Sequence, residues 1–294
     1  LYAVKKNKLK EICAADAAIN CTHGLNGEDG TLAGVMRLSK IAFASPSLFP
    51  SSLSMDKYYT KIALKGIGVE TLPYVKLGRG NYIGKRALAS KVVTGKLGFP
   101  VIVKPANLGS SIGIKVAKNE AELYDALDDA FRYDDKVIVE KALTGFREIN
   151  CACIKLGEKY LVSECEEPKL CGDILSFTDK YSGEKKTDFP ANIDKKISDE
   201  IKSVTSYIYR KLEFRGAVRI DFLLSGEKVY VNEINSVPGS LAYYLFSDSI
   251  KDFCSLLIES VDLAAEEERD RENNVYDYPA NILNADLKGG KIRK

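Results

Sequence analysis

Residues 219–239 read RIDFLLSGEKVYVNEINSVPG, and this stretch organises the rest of the chain. Apolar residues at 218, 220, 222 and 224 alternate with Arg219, Asp221 and Leu223, which is the period of a β-strand. Gly226 marks a turn, so Lys228–Asn235 is predicted to return as the second strand of a hairpin. With the turn centred near Gly226 and no bulge, Arg219 pairs with Glu233 and Asp221 with Val231.

Because side chains alternate between faces, this hairpin presents Arg219, Asp221, Glu233 and Asn235 on one surface. Carboxylate and amide oxygens are the ligands that Mg²⁺ prefers, usually together with substrate phosphates. Asp221, Glu233 and Asn235 are therefore a candidate metal site. The alternative is a half-exposed sheet whose charges are only solvated.

A second signal is the run from Phe99 to Ile114, in which an apolar strand delivers Lys104 and a loop of small residues, Gly109-Ser-Ser-Ile-Gly113, follows. Glycine lets backbone N–H groups approach an anion closely, and the hydroxyls of Ser110 and Ser111 add donors. The run matches neither the P-loop nor the dinucleotide-binding fingerprint. It predicts a flap over phosphates, and the alternative is an ordinary hairpin with a Gly-Ser tip.

Composition excludes several classes of protein. The chain has 294 residues and a net charge of +2, so no strong field indicates a nucleic acid or an anionic membrane as partner. Its seven cysteines show no framework spacing, which favours a reducing cytosol, and Cys151 and Cys153 are interpreted as core thiols. The single histidine, His23, excludes multi-histidine metal sites.

Other segments define the organisation of the chain. Residues 1–20 are predicted to be helical or irregular, and His23 lies in a glycine-rich loop before a helix, the α/β pattern with exposed backbone amides. There His23 is either a loop histidine bonded to nearby backbone or a site residue. The run Ser45–Ser52 is rich in Pro and Ser and is interpreted as an interdomain linker. Residues 172–190 are predicted to form a lid, and the basic tail from Leu287 is expected to be a mobile terminus.

The motifs appear in one order along nearly the whole chain: His23-Gly-x-x-Gly-Glu-Asp-Gly30, Met55-Asp-Lys57, Lys104-Pro-Ala, Gly109-Ser-Ser, Glu140-Lys141, Arg219-x-Asp221 and Asn232-Glu-Ile-Asn235 before Pro238-Gly239. This pattern resembles the ATP-grasp ligases, and within them the D-alanine–D-alanine ligases. The resemblance implies an α/β ATP-grasp fold with an incomplete N-terminal Rossmann-like domain, whose first strand and loop would precede Leu1.

The resemblance also implies roles for individual residues. Lys57 and Lys104 neutralise ATP phosphates, and Ser110, with Ser111 beside it, covers the γ-phosphate. Glu140, Lys141 and Leu143 contact adenine, and Glu148 contacts the ribose. Two Mg²⁺ ions, or Mn²⁺, are held by Asp221, Glu233 and Asn235, with Glu233 bridging. Arg219 and the N–H of Gly239 stabilise the tetrahedral intermediate, His23 lies near the first amino acid's carboxylate, and Lys180-Tyr181 belongs to the lid.

The expected reaction joins two D-alanines through an acyl phosphate, with ADP and phosphate as the other products, for peptidoglycan precursor synthesis. The expected domains are a remnant of the N-terminal domain (1–54), a central domain (55–145) and a catalytic domain (146–294). The resemblance implies a cytoplasmic enzyme, allows a homodimer, and gives no nucleic-acid or membrane partner. One departure is the segment Gly239-Ser-Leu-Ala-Tyr-Tyr-Leu-Phe246, where the family typically has Met or Phe and then Thr after Pro-Gly. Two alternatives therefore stay open: a ligase with another acceptor, and a non-catalytic nucleotide-binding module.

Overall fold

The computed structural model describes residues 2–5, 8–109, 111–169 and 187–275. Across these ranges the strands form two four-stranded sheets and three two-stranded ones. The two main clusters of buried apolar side chains each lie on one of the four-stranded sheets, so each of these sheets has its own core. Most of the expected lid, with Lys180 and Tyr181, and the basic tail lie outside the described residues, as does Ser110.

The N-terminal part differs from expectation at two places. Residues near the start form an antiparallel hairpin, β1 (Tyr2–Lys5) with β2 (Lys8–Glu11), so the prediction of helical or irregular structure there is wrong. A short β3 (Ala17–Ala18) pairs in parallel with β4 (Ala42–Phe43) on either side of α1 (Thr31–Leu38).

The predicted linker is also wrong, because most of it belongs to helix α2 (Leu48–Met55). Pro50 falls in the first turn of this helix, where a backbone N–H has no partner within the helix, so proline is tolerated there. The hydroxyls of Ser51 and Ser54 donate back to the carbonyls of Pro46 and Pro50 at 3.0 and 2.8 Å. A segment rich in proline and serine usually indicates a loop, but here these residues form the start of a helix.

The first large sheet follows α3 (Lys57–Gly66) and carries its helices on one side. Its strands are ordered β5-β8-β6-β7, and all neighbouring pairs are antiparallel. The helices α5 and α6 pack on the face that holds Val101, Val103 and Val139. Alternation along the strands therefore turns Lys104 and Glu140 to the other face. The elements are β5 (Tyr74–Gly78), α4 (Arg79–Tyr82), α5 (Arg86–Leu97), β6 (Val101–Pro105), β7 (Lys115–Ala117), α6 (Glu120–Ala130) and β8 (Lys136–Lys141).

The second large sheet is ordered β10-β9-β13-β14 and contains the predicted hairpin. Helix α7 packs on one face through Ile201, Ile208 and Tyr209, against Ile220 and Phe222 of the hairpin. The opposite face carries the polar residues. Cys151 and Cys153 are fully buried in this sheet, as predicted for core thiols. The elements are β9 (Arg147–Leu156), β10 (Lys159–Val162), β11 (Glu167–Pro168), β12 (Thr187–Asp188), α7 (Lys195–Lys211), β13 (Val218–Ser225) and β14 (Lys228–Asn235).

The hairpin has the predicted strands but not the predicted partners. Arg219 lies opposite Asn235 and Asp221 opposite Glu233, so the expected pairs with Glu233 and Val231 are wrong. Two shifts of one residue each cause the difference. The turn gives the first, because Ser225 pairs with Lys228, and a β-bulge between Asp221 and Phe222 gives the second, because Phe222 pairs with Val231 and Asn232 becomes the extra residue. If the pairing seen next to the turn continued without the bulge, Glu233 and Asn235 would lie on the face that packs against the core. The bulge returns them to the face of Asp221, and the predicted shared face is confirmed.

The end of the described chain returns to the N-terminal part. A 3₁₀ turn (Gly239–Ala242) leads into α8 (Tyr243–Phe246) and then into the long α9 (Ile250–Glu272). Ala264 of α9 packs against Ala42 and Ala44, near β3 and β4. Within the described ranges, none of the helices combines the length and apolar character needed to cross a bilayer.

Candidate active site

Arg219 and Asp221 form a two-point ion pair on the polar face of the hairpin. Arg219 Nε lies 2.7 Å from Asp221 Oδ1 and Nη2 lies 3.0 Å from Oδ2, while the Asn235 amide donates to Oδ2 at 2.9 Å. Asp221 is 1% exposed. Burial alone would lower the pKa of Arg219, but the adjacent carboxylate raises it well above its usual value. A charged guanidinium is thus fixed beside a buried carboxylate.

The predicted metal ligands are brought together. Asp221 and Glu233 are directly opposite each other, and Asn235 follows two residues along on the same face. Directly opposed residues have Cβ atoms about 5 Å apart, which lets both carboxylates reach one ion. This set has two carboxylates and one amide, and no larger group of His, Cys, Asp and Glu in the described residues is arranged for a metal. All three groups offer hard oxygen donors, so the residues fit a divalent ion such as Mg²⁺.

Two predicted phosphate-binding lysines lie between the sheets. Lys104 Nζ is 2.9 Å from Glu140 Oε2 and 3.1 Å from Asn232 Oδ1, so it joins the first sheet to the bulge residue of the second. Lys57 donates from Nζ to the carbonyl of Leu108, at the start of the small-residue loop. Ser111 of that loop has a φ of 58°, which lies in the left-handed region. Lys104 therefore reaches the polar face, and Lys57 contacts the small-residue loop.

Glu140 lies in the first sheet beside two lysines. Its carboxylate is 1% exposed and lies between Lys104 and Lys61, and its backbone lies between β5 and β6. Its observed contacts are those of a partner for lysines, and its contact with adenine stays a prediction.

The other predicted nucleotide contacts lie at strand ends. Lys141 Nζ donates to the carbonyl of Phe99 at 2.9 Å, and Leu143 is half-buried. Glu148 is half-buried opposite Leu223, on the same face as Asp221. The structure thus places Glu148 on the polar face. The contacts of Lys141, Leu143 and Glu148 with a nucleotide stay predictions.

The glycine-rich loop around His23 contacts the end of the hairpin. His23 Nδ1 lies 3.0 Å from the carbonyl of Val237, and the Ser236 hydroxyl donates to the carbonyl of Glu28 at 3.3 Å. The Glu28 carboxylate accepts the N–H of Gly24 at 2.6 Å. Burial raises the pKa of Glu28, and the charge of Glu233 adds to this rise. His23 therefore lies beside the segment that leads to Gly239, as a site residue would.

A row of four polar side chains runs across the polar face, and the sequence analysis did not predict it. Glu166 is opposite Asn150, Asn150 is opposite Asp221, and Asp221 is opposite Glu233. Glu166 is 5% exposed, and the Asn150 amide donates to it at 3.2 Å. The signal in the sequence was the acidic run 164–167, which does not say which carboxylate points inward. Tyr244 was also missed, and its hydroxyl accepts from Arg219 at 3.5 Å.

The segment after Gly239 is strained. Ser240, Leu241 and Ala242 have φ values of 52°, 52° and 53°, so three successive residues with side chains are left-handed. This conformation costs roughly 1–2 kcal/mol per residue. Ala242 and Leu245 pack on Ala152, beside Arg219 on the neighbouring strand. Strain at such a position is typical of functional sites.

We expect Ser240→Gly to stabilise the protein by about 0.5 kcal/mol, since glycine avoids the left-handed cost but loses more chain entropy on folding. Ser240 is exposed, so little packing is lost. The measurement is the free energy of unfolding in urea. Ser240→Ala is the control, because alanine keeps the strain, and it should leave stability unchanged or slightly lower. A lower free energy of unfolding for Ser240→Gly than for the wild type would contradict the presence of strain at this position.

Comparison with known proteins identifies the family. The family model described as "D-ala D-ala ligase C-terminus" matches residues 63–254. A D-alanine–D-alanine ligase from Thermosipho africanus is 37% identical over 278 residues, which are 93% of this chain and 74% of that protein. One from Helicobacter pylori is 41% identical over 231 residues, and this chain covers 65% of its length.

Solved structures agree. The D-alanine–D-alanine ligase of Helicobacter pylori has a TM-score of 0.73 and 35% identity, over 89% of this chain and 74% of that one. The D-Ala:D-Ser ligase VanG of Enterococcus faecalis has a TM-score of 0.75 and 28% identity, over 90% and 79%. These ligases have the ATP-grasp fold, which is the fold predicted here. By its sequence, its fold and the residues on its polar face, the chain belongs to the D-alanine–D-alanine ligase family.

Proposed function

We propose that this protein joins two D-alanine molecules at the expense of ATP, with D-alanyl-D-alanine, ADP and phosphate as products. The observation that carries the proposal is the shared face of Arg219, Asp221, Glu233 and Asn235, with Lys104 reaching the adjacent Asn232. Cations and hard oxygen donors gathered at one cleft suit the transfer of a phosphoryl group, which depends mainly on positioning and charge neutralisation.

The residues have separate tasks in the proposed reaction. A carboxylate oxygen of the first D-alanine attacks the γ-phosphorus, and the bond to the β,γ-bridging oxygen breaks as ADP leaves. Lys57 and Lys104 neutralise the phosphates, together with Ser110 and Ser111 of the loop. The amine of the second D-alanine then attacks the acyl carbon. Arg219 and the N–H of Gly239 stabilise the resulting oxyanion, the amine loses a proton, and phosphate departs.

We propose that Asp221, Glu233 and Asn235 would hold two Mg²⁺ ions, or Mn²⁺. Bound there, they would draw charge from the phosphate oxygens. The support is the donor set itself, two opposed carboxylates and an amide on one face. Asp221 is paired with Arg219 at 2.7 Å, which fixes both side chains on the polar face.

The remaining assignments belong to the same proposal. His23 binds the carboxylate of the first amino acid, Glu148 the ribose, and Lys141 and Leu143 the adenine. Residues 172–190, with Lys180 and Tyr181, form the lid that protects the acyl phosphate from water. The domains are 1–54, 55–145 and 146–294. We further propose a cytoplasmic enzyme of peptidoglycan precursor synthesis, for which a homodimer is possible.

We expect phosphate release from ATP and Mg²⁺ to be stimulated by D-alanine and not by L-alanine. The assay measures phosphate and dipeptide together, with each enantiomer in parallel. Stimulation by no D-amino acid would contradict the substrate assignment. Nucleotide binding without any ADP formation would favour the non-catalytic module considered above.

A ligase with a different acceptor is the second candidate. It is favoured by the strained segment Gly239–Ala242 and by the exposed Tyr244 beside Arg219, which differ from the typical family pattern at the acceptor end. The similarity to a D-Ala:D-Ser ligase makes D-serine the acceptor to test. Mass spectrometry of products from equal D-alanine and D-serine decides between them, since each acceptor gives a dipeptide of different mass.

A further inference from the structure

Lys61 is a buried lysine for which the proposed reaction has no task. It lies on α3, one helical turn after Lys57, and its side chain is 2% exposed. Its Nζ is 3.1 Å from Glu140 Oε1, and Lys104 Nζ is 2.9 Å from Glu140 Oε2. One carboxylate therefore holds two ammonium groups, one at each oxygen. We call Lys61, Glu140 and Lys104 the Glu140 cluster.

The charge of the cluster follows from these contacts. Burial would raise the pKa of Glu140, but Lys104 and Lys61 together lower it to about 2, so the carboxylate is ionised at neutral pH. Burial lowers the pKa of Lys61, while the ionised carboxylate beside it favours the ammonium form. The Lys61 contact lies within ion-pair distance, although its angle is outside the hydrogen-bond range. Two ammoniums and one carboxylate leave a net charge of +1.

This net charge matters for Lys104. A single lysine paired with Glu140 would be neutral, and its attraction for a phosphate would be cancelled by its own partner. The second ammonium shares the carboxylate and restores one positive charge to the cluster. Lys104 also contacts Asn232, next to the candidate metal ligand Glu233, so this charge lies beside the site of phosphoryl transfer. In a buried place such a charge acts over several Å.

The cluster is also costly without an anion nearby. A buried net charge is unfavourable unless it is compensated. The ring of Tyr74, whose centroid is 5.7 Å from Lys61 Nζ, compensates only in part. A polyphosphate would supply the missing negative charge. These properties are those of a binding site for an anion rather than of a purely structural ion pair.

We propose that Lys61 is a positioning residue for the nucleotide: by sharing Glu140, it keeps Lys104 directed at the cleft and leaves the cluster with the positive charge that a nucleoside triphosphate requires. The inference rests on the proposed use of ATP and deepens it. Lys61 touches no reacting atom and acts through Glu140 and Lys104.

The test is Lys61→Met, which keeps the length of the side chain and removes its charge. We expect the KM for ATP and the Kd for ADP with Mg²⁺ to rise about tenfold, the size of effect that a unit charge has several Å away at an effective dielectric of about 20. The kcat and the KM for D-alanine should stay within about threefold of wild type. The variant should still fold, with a modest fall in melting temperature, because Glu140 loses one partner and keeps Lys104.

Lys65→Met is the matched control, since Lys65 lies one turn further on α3 and is exposed. It should bind nucleotide as wild type does. Lys61→Arg retains the charge and should bind nucleotide more tightly than Lys61→Met.

Nucleotide affinity equal to that of Lys65→Met would overturn the inference. So would a methionine variant that fails to fold while Lys61→Arg folds and binds normally, because the charge would then serve the fold. A wild-type protein that binds ADP without turnover overturns the proposed function instead, and the Kd for ADP still tests Lys61.

Discussion

Arg219→Met is expected to lower kcat about 10³-fold, because the variant loses a charged donor directed at the oxyanion. It should also lose about 3 kcal/mol of unfolding free energy, since Asp221 stays buried with only the Asn235 amide as a described hydrogen-bond donor. Phosphate release and urea unfolding measure the two effects. Arg219→Lys should recover part of the stability but little activity, because an ammonium cannot bind both carboxylate oxygens.

The two effects can be separated by a second substitution. In Arg219→Met combined with Asp221→Asn, the buried charge is gone, so most of the lost stability should return while activity stays absent. A single Arg219→Met variant whose kcat is within tenfold of wild type would contradict the assignment of Arg219 to the oxyanion.

Glu233→Gln is expected to lower kcat by about 10²–10³-fold and to raise the Mg²⁺ concentration needed for half-maximal activity about tenfold. An amide oxygen carries no charge and binds a divalent ion more weakly, and metal ions contribute several kcal/mol to the transition state. Steady-state phosphate release across a Mg²⁺ titration measures both quantities.

Stability distinguishes this loss of metal from unfolding. The charge of Glu233 repels the buried Glu28 and attracts Arg219, so its removal has opposing effects on the stability of the fold. The metal-free Glu233→Gln protein should therefore melt within a few degrees of the wild-type temperature. Glu227→Gln is the matched control, since Glu227 is exposed in the turn of the same hairpin. An unchanged Mg²⁺ requirement in Glu233→Gln would contradict the proposed metal site.

Patterns that depend on near neighbours were predictable. The alternation around Arg219 and Asp221 predicted two strands and a common polar face, and both are present. Helix α5 ends before Gly98, whose φ of 62° suits glycine, so a local residue choice marks its end. The serine- and proline-rich run before Met55 was wrongly predicted to be a linker, because the first turn of a helix and a loop favour the same residues.

Contacts between distant segments were not predictable in the same way. The contacts of Glu140 with Lys61 and Lys104 could not be predicted, because these lysines come from a helix and a strand that meet only in the folded protein. Glu166 is one of three glutamates within residues 164–167, and only its pairing with Asn150 turns it to the polar face. Such pairings depend on which surfaces pack together rather than on local spacing.

The sequence alone determined the strands of the hairpin, the kinds of oxygen donor on it and the family pattern, because alternation and residue chemistry are local properties. The tertiary structure decided the register. A single extra residue, Asn232, lets Val231 and Ile234 both enter the core while Glu233 and Asn235 face Asp221. The burial of apolar side chains against α7 favours that bulge, and no count of residues along the strand reveals it, since a shift of one position exchanges the two faces.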